Sequence, residues 1–258
     1  MTRPLGGRTN TDPRSLFTST VAVLAGLLVW AGLAASRIVP AFMLPSPSDV
    51  AAEFGRMAAT GLLWTNVGTT VAEALLGFAL GSAVAAVLAY PLAKSQVVAS
   101  VLSPYVAGFQ AMPILALAPL LVVWFGLGLL SKTLICAIIV FFPMLVNIAV
   151  GLRTVDRDVV ESAASEGASA WTVLFRIEVP MALRTILAGV RLGLTLSMTG
   201  AIVAEFVASS SGLGYLMLVA RSEYDAPMLF VAALSMVAVA VIAYLLVGLL
   251  EHLLITWD

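Results

Sequence analysis

Apolar runs long enough to cross a bilayer occupy most of this chain, and they restrict its fold more than any other feature. Of 258 residues, 61% are hydrophobic and 10% charged, with a mean hydropathy of +1.08. Soluble domains carry about 25% charged residues. The fold class expected is therefore an all-α integral membrane protein, each span closing its backbone hydrogen bonds within itself.

Six spans are expected. Phe17–Ser36 is uncharged and can cross about 30 Å of hydrocarbon. It follows a polar tail, residues 1–15, with Arg3, Arg8 and Arg14. The run is too long for a signal-peptide core and has no clear small-residue cleavage site, so it reads as an uncleaved first span. Arg37–Trp64 is richer in polar residues and proline. Pro45 and Pro47 stiffen it, and Ser48 is the expected cap of a short helix Asp49–Ala59 lying along the outer surface. The second span is Asn66–Ala93, with Glu73 towards its outer end. Ser95–Ser131 is uncharged, too long for one straight span and too short for two. Pro104, Pro113 and Pro119 make it one broken helix. Thr133–Leu152, Arg184–Phe206 and Pro227–Leu250 complete the set. Residues 16–258 are thus expected to form one membrane domain, with no internal repeat.

Lysine and arginine set the orientation. With the N-terminus inside, the inner segments hold Arg3, Arg8, Arg14, Lys94, Arg153, Arg157, Arg176, Arg184 and Arg191, against Arg37, Arg56, Lys132 and Arg221 outside. Both termini and the polar interval 158–180 are then cytoplasmic. That interval is expected to be folded. Asp158 and Glu161 have capping-box spacing, and Gly167 suits a left-handed helix end. Ser169 can cap a second helix through Ala170–Arg176, which Pro180 is expected to stop. Charge and alanine alone would favour a solvated loop.

Glu161-Ser-Ala163, Gly167 and Ile177-x-Val179-Pro180 are spaced as in the EAA motif. By this motif the chain resembles the permease subunits of ATP-binding-cassette (ABC) importers, with Ser162 and Val179 replacing the usual Ala and Leu. LPSPSDV at 44–50, ALAPLLVVWFGLG at 116–128, FFPMLVN at 141–147, GLRTVD at 151–156 and AEFVASSSGLGYLM at 204–217 are similar to the nitrate/sulfonate/taurine branch. That branch also includes permeases for pyrimidine precursors. The resemblance covers residues 40–220. It implies a type I importer permease fold whose cytoplasmic coupling helix docks on an ATPase. It further implies two ATPase subunits binding ATP and Mg, a second permease copy, and a periplasmic or lipid-anchored solute-binding protein, all at the bacterial inner membrane. In such a permease the coupling residues would be Glu161, Ser162, Ala163, Glu166, Gly167, Ala168 and Ala170. Small alanines allow close approach, the glutamates fix register and the glycine makes the turn.

The chain has no G-x-x-x-x-G-K-[ST] loop, so nucleotide is expected on the partner. One cysteine, Cys136, and one histidine, His252, offer no metal site or relay, and no enzyme constellation or nucleic-acid-binding feature is visible. Candidate path residues are Gln110, Met112 and Asn147, with Thr195, Ser197, Met198 and Thr199 on the fifth span. Serine and threonine in membrane helices also bond their own backbone, which is the competing reading. Candidate structural or gating residues are Pro113, Pro180, Glu205, Gly212 and Gly214. By resemblance, the segment Ser209–Tyr215 is an outer loop contacted by the binding protein. Glu73, Arg191 and Glu205 are costly enough in a membrane to raise a functional question. Interhelical hydrogen bonding suits the two glutamates, whereas a proton- or sodium-coupled transporter would need them at mid-membrane depth. Met112 stands where oxyanion members of the branch are expected to carry arginine, which leaves a pyrimidine or another small organic nutrient as substrate.

Overall fold

A backbone surrounded by hydrocarbon must satisfy its polar groups locally, and in the computed structural model all regular structure among the described residues is helical. The described residues are 13–36, 38–40, 42–111 and 114–254. The order is α1 (Pro13–Ser36), α2 (Pro47–Ala59), α3 (Leu62–Lys94), α4 (Gln96–Ala111), α5 (Ile114–Phe125) and α6 (Leu129–Arg153). There follow α7 (Arg157–Ser165), α8 (Ala170–Val173), a π-helical turn (Leu174–Glu178), α9 (Val179–Ala208), α10 (Leu213–Glu223) and α11 (Ala226–Leu254).

Four helical runs are long and apolar enough to cross a membrane unaided: Leu62–Lys94, Leu129–Arg153, Ala170–Val207 and Ala226–Glu251. Helices α4 and α5 meet at 92° and make a fifth crossing if taken as one bent span. Within α1 the stretch Leu24–Ser36 is a further apolar helix. Its Trp30 indole N–H donates to the Pro45 carbonyl (3.0 Å) and its ring stacks on Phe230 of α11.

Helices α3, α6 and α9 form the centre. The inner face of α3 carries Thr70, Ala74, Gly77, Gly81, Ala85 and Ala89, all buried. A Cβ on Gly77 would overlap that of Cys136, and one on Gly81 would come 2.5 Å from the Ala137 carbonyl oxygen. The backbones of α3 and α6 therefore touch, the packing that small residues permit between helices in lipid. On the opposite side α3 bares Leu76, Leu80, Val87 and Leu88, which lipid can solvate.

Three expectations are corrected. The cap of α2 is Ser46 rather than Ser48. Its hydroxyl accepts from the Asp49 N–H (3.2 Å) while the Asp49 carboxylate accepts from the Ser46 N–H (3.2 Å), leaving Pro47 in the first turn, where no donor is needed. Lys132 belongs to α6 and not to an outer loop, because the helix starts at Leu129 and Glu73 pairs with the ammonium. Pro180 does not interrupt the chain. The π turn takes the Val179 N–H to the Leu174 carbonyl, and Pro180 then sits in the first turn of α9, where its missing N–H costs little.

Gly81→Val should force α3 away from α6 and destabilise the protein by about 1–3 kcal/mol, the usual cost of overpacking. Gly68→Val, where a Cβ meets nothing within 4 Å, should leave the melting temperature in detergent unchanged. Equal melting temperatures for both variants would contradict this packing.

Candidate functional site

Two regions at opposite ends of the α3–α6–α9 core carry the polar chemistry. At one end α7 and α8 form a protruding turn. Asp156, not Asp158, caps α7, its Oδ1 accepting from the Asp158 N–H (3.0 Å). Both aspartates have the chemistry of a cap, and the chain enters the helix at the earlier one. Gly167 has φ +89°, and the Ala168 N–H reaches back to the Ala163 carbonyl (3.1 Å), closing α7 with a left-handed residue. Ser169 caps α8 by accepting from the Thr172 N–H (3.2 Å). No residue of α7 is buried. Glu161, Ser162, Glu166, Gly167 and Ala170 are exposed, and Ala163 and Ala168 are half-buried.

The turn is nonetheless firmly seated. Val173, Leu174 and Glu178 are buried beneath it. Glu178 pairs with Lys94 at the end of α3, and Arg153 Nη2 donates to the Leu92 carbonyl (2.5 Å). Trp171 and Phe175 stack in parallel with ring centroids 5.8 Å apart, 71% and 62% exposed. Sequence reasoning passed over this pair, although aromatics four residues apart in a helix are its direct signal.

The expected path residues divide. On α9, Thr195 and Thr199 are exposed one turn apart, whereas Ser197 and Met198 are buried. Thr195 donates to the Arg191 carbonyl (3.0 Å) and Ser197 to the Leu194 carbonyl (2.8 Å), so both hydroxyls serve their own helix. Asn147 is half-buried and donates to the Pro143 carbonyl (2.8 Å). Gln110 lies in the last turn of α4. Met112 and Pro113 lie outside the described residues. Helices α3, α4, α5 and α6 border an open-sided cavity of about 360 Å³ whose apolar wall includes Leu80, Phe109, Phe141 and Phe142. Arg191 pairs with Glu251 and lies over the Tyr244 ring (4.8 Å).

At the other end a buried polar cluster joins α3, α6, α9 and α10. Lys132 Nζ donates to Glu73 Oε1 and to Ser209 Oγ, both at 2.6 Å. Glu205 Oε1 accepts from the Thr70 hydroxyl (2.6 Å), and its Oε2 from the Gly214 N–H (2.5 Å). Glu73 and Glu205 are thus interhelical bonding groups, each 1% exposed or less. Asn66 and Thr70 went unnoticed in the sequence, although positions 66, 70 and 73 follow the i, i+4, i+7 spacing of one helical face. Among the described residues no group of three His, Cys, Asp or Glu could hold a metal ion.

With this geometry in hand, comparison with known proteins identifies the family. Residues 77–256 match the binding-protein-dependent transport system inner membrane component. The chain is 43% identical over 239 residues to the riboflavin transport system permease protein RibX of Chloroflexus aurantiacus, covering 92% of this chain and 89% of that protein. It is 27% identical over 238 residues to the formylaminopyrimidine transport permease protein ThiX of Halalkalibacterium halodurans, covering 92% and 94%. A chain of the MetNI methionine ABC transporter, in an inward-facing conformation, has the same fold: TM-score 0.66, 16% identity, 76% of this chain and 98% of that one. The chain belongs to the family of binding-protein-dependent transport system inner membrane components, and it is an ABC transporter permease.

Proposed function

We propose that two copies of this chain form the translocation path of an ATP-driven importer, gripped from the cytoplasm by two ATPase subunits that bind ATP and Mg. Each copy crosses the membrane six times, through α1, α3, the bent α4–α5 pair, α6, α9 and α11, as one membrane domain. Both termini and the α7–α8 turn are cytoplasmic, and the α10 end faces the binding protein. The observation that carries this reading is the turn itself, in whose α7 no residue is fully buried while α8 runs through the π turn into α9. Such an element is stiff enough to transmit force and bare enough to be held.

Movement of the docked turn would pass into α9 through the π turn and into α3 through the Lys94–Glu178 pair. Shifting α9 and α3 against α6 would open the path to one side and then to the other. The solute path runs along the open surfaces, with Thr195, Thr199 and Asn147 as its polar contacts. Secondary transport driven by protons or sodium has no support, since Glu73 is engaged by Lys132 and Glu205 by Thr70 and the Gly214 amide.

The substrate class proposed is a flat heteroaromatic vitamin or vitamin precursor. RibX is named for riboflavin and ThiX for formylaminopyrimidine, and a cavity faced by Phe109, Phe141 and Phe142 suits such a ring better than an oxyanion.

Gly167→Leu forces a β-carbon into a left-handed position in free space. It should abolish copurification of the ATPase while the permease keeps its melting temperature; normal copurification would refute docking at the turn. The partner binding protein should gain at least 5 °C in melting temperature with riboflavin and none with taurine. The opposite ranking would overturn the proposed substrate class.

A further inference from the structure

The first amides of α10 are capped by side chains from other helices, three in succession. Asn66 Oδ1 accepts from the Gly212 N–H (2.6 Å), Thr70 Oγ1 from the Leu213 N–H (2.8 Å) and Glu205 Oε2 from the Gly214 N–H (2.5 Å). Ordinarily a local Ser, Thr or Asp caps a helix start, but Gly212 offers no side chain. The glycines are required for this arrangement. A Cβ on Gly212 would fall on the Glu205 carboxyl group, and one on Gly214 would come 2.8 Å from Glu205 Oε2.

Three properties of the cap point beyond packing. Thr70 donates to Glu205 while accepting from Leu213, so the caps on α3 and α9 are linked to each other. All three capping residues are buried, between 0% and 6% exposed. Withdrawing α10 would leave orphaned donors and an uncovered carboxylate together, which makes release concerted rather than gradual. The preceding loop is fixed separately, by Lys132 on Ser209 and by the Ser209 hydroxyl on the Ser211 carbonyl (2.5 Å). The far end of α10 is exposed from Arg221 to Tyr224. Between its seat and that last turn α10 is buried at Leu216 and Ala220, so it can pass a push on the exposed turn along its length as a stiff lever.

We propose that Asn66, Thr70 and Glu205 are positioning residues for transport: they seat α10 so that docking of the solute-binding protein on its exposed end is passed to α3 and α9. The proposal rests on the orientation given above, in which α10 faces outward. Through α3 and α9 the signal reaches Lys94–Glu178 and the π turn, and so the cytoplasmic element.

The test uses the assembled importer in lipid vesicles, with ATPase turnover measured with and without saturating binding protein. Thr70→Val keeps shape but loses the relay, and Glu205→Gln removes the charge from the cap. Each should still copurify with the ATPase, and the ratio of stimulated to unstimulated turnover should fall at least tenfold. Thr70→Ser, which keeps the hydroxyl, should retain the wild-type ratio. Wild-type ratios in Thr70→Val and Glu205→Gln would overturn the lever while leaving the importer reading intact. No stimulation of the wild-type complex would instead defeat the importer reading. Hydrogen exchange on the wild-type complex covers the case in which a variant does not fold. The Gly212, Leu213 and Gly214 amides should be protected and should stay protected when binding protein docks. A loss of protection of tenfold or more at any of the three on docking would overturn the proposal.

Discussion

Lipid tails solvate leucine as well as a neighbouring helix does, so burial of apolar surface cannot by itself hold membrane helices together. Here the association of α3, α6 and α9 depends on close approach. Gly77 and Gly81 leave no room for a β-carbon against Cys136 and Ala137, and a Cβ on Gly200 of α9 would come 2.9 Å from the Cys136 Cα. One short stretch of α6 therefore touches both neighbours almost backbone to backbone. Dispersion contacts at that separation are individually weak and collectively large. Both polar regions attach to this core.

The two ends of the core are pinned differently. At the α10 end Lys132, Glu73, Thr70 and Glu205 are enclosed, where removing one partner of an ion pair typically costs about 3–5 kcal/mol. At the α7–α8 end the Lys94–Glu178 pair is half open: Lys94 retains 36% side-chain exposure against 2% for Glu178. An enclosed network holds one geometry, and a half-open one can exchange partners with water. In the proposed orientation, rigidity outside and compliance inside would suit a subunit that senses on one face and is driven on the other.

Much of this architecture was legible in the sequence because its causes are local. Apolar runs announced the long helices, Gly167 the left-handed turn, and Ser169 the cap of α8. Where alternatives lay close together, local chemistry could not choose: Ser46 and Ser48 could each cap α2, and Asp156 and Asp158 could each cap α7. Lys132 stands between two uncharged runs and so read as an outer charge, and the partner that admits it to α6, Glu73, lies 59 residues away. Pro180 misled for a different reason, since a π turn absorbs the break proline would otherwise cause. The α9 residues Ser197 and Met198 face the core while Thr195 and Thr199 face outward, a division that depends on which side of α9 meets α6.

The central claim is that the α7–α8 turn is a cytoplasmic handle gripped by another subunit. Cross-linking from Ala164→Cys in the membrane-embedded complex tests this most directly, paired with a membrane-impermeant thiol reagent applied to each side. Ala164 is exposed on α7, and the native Cys136 is buried in the core. The account predicts a covalent permease–ATPase product, with labelling of the uncomplexed permease only from the cytoplasmic side. Labelling from the external side, or a handle that reacts freely within the full complex and forms no such product, would contradict it.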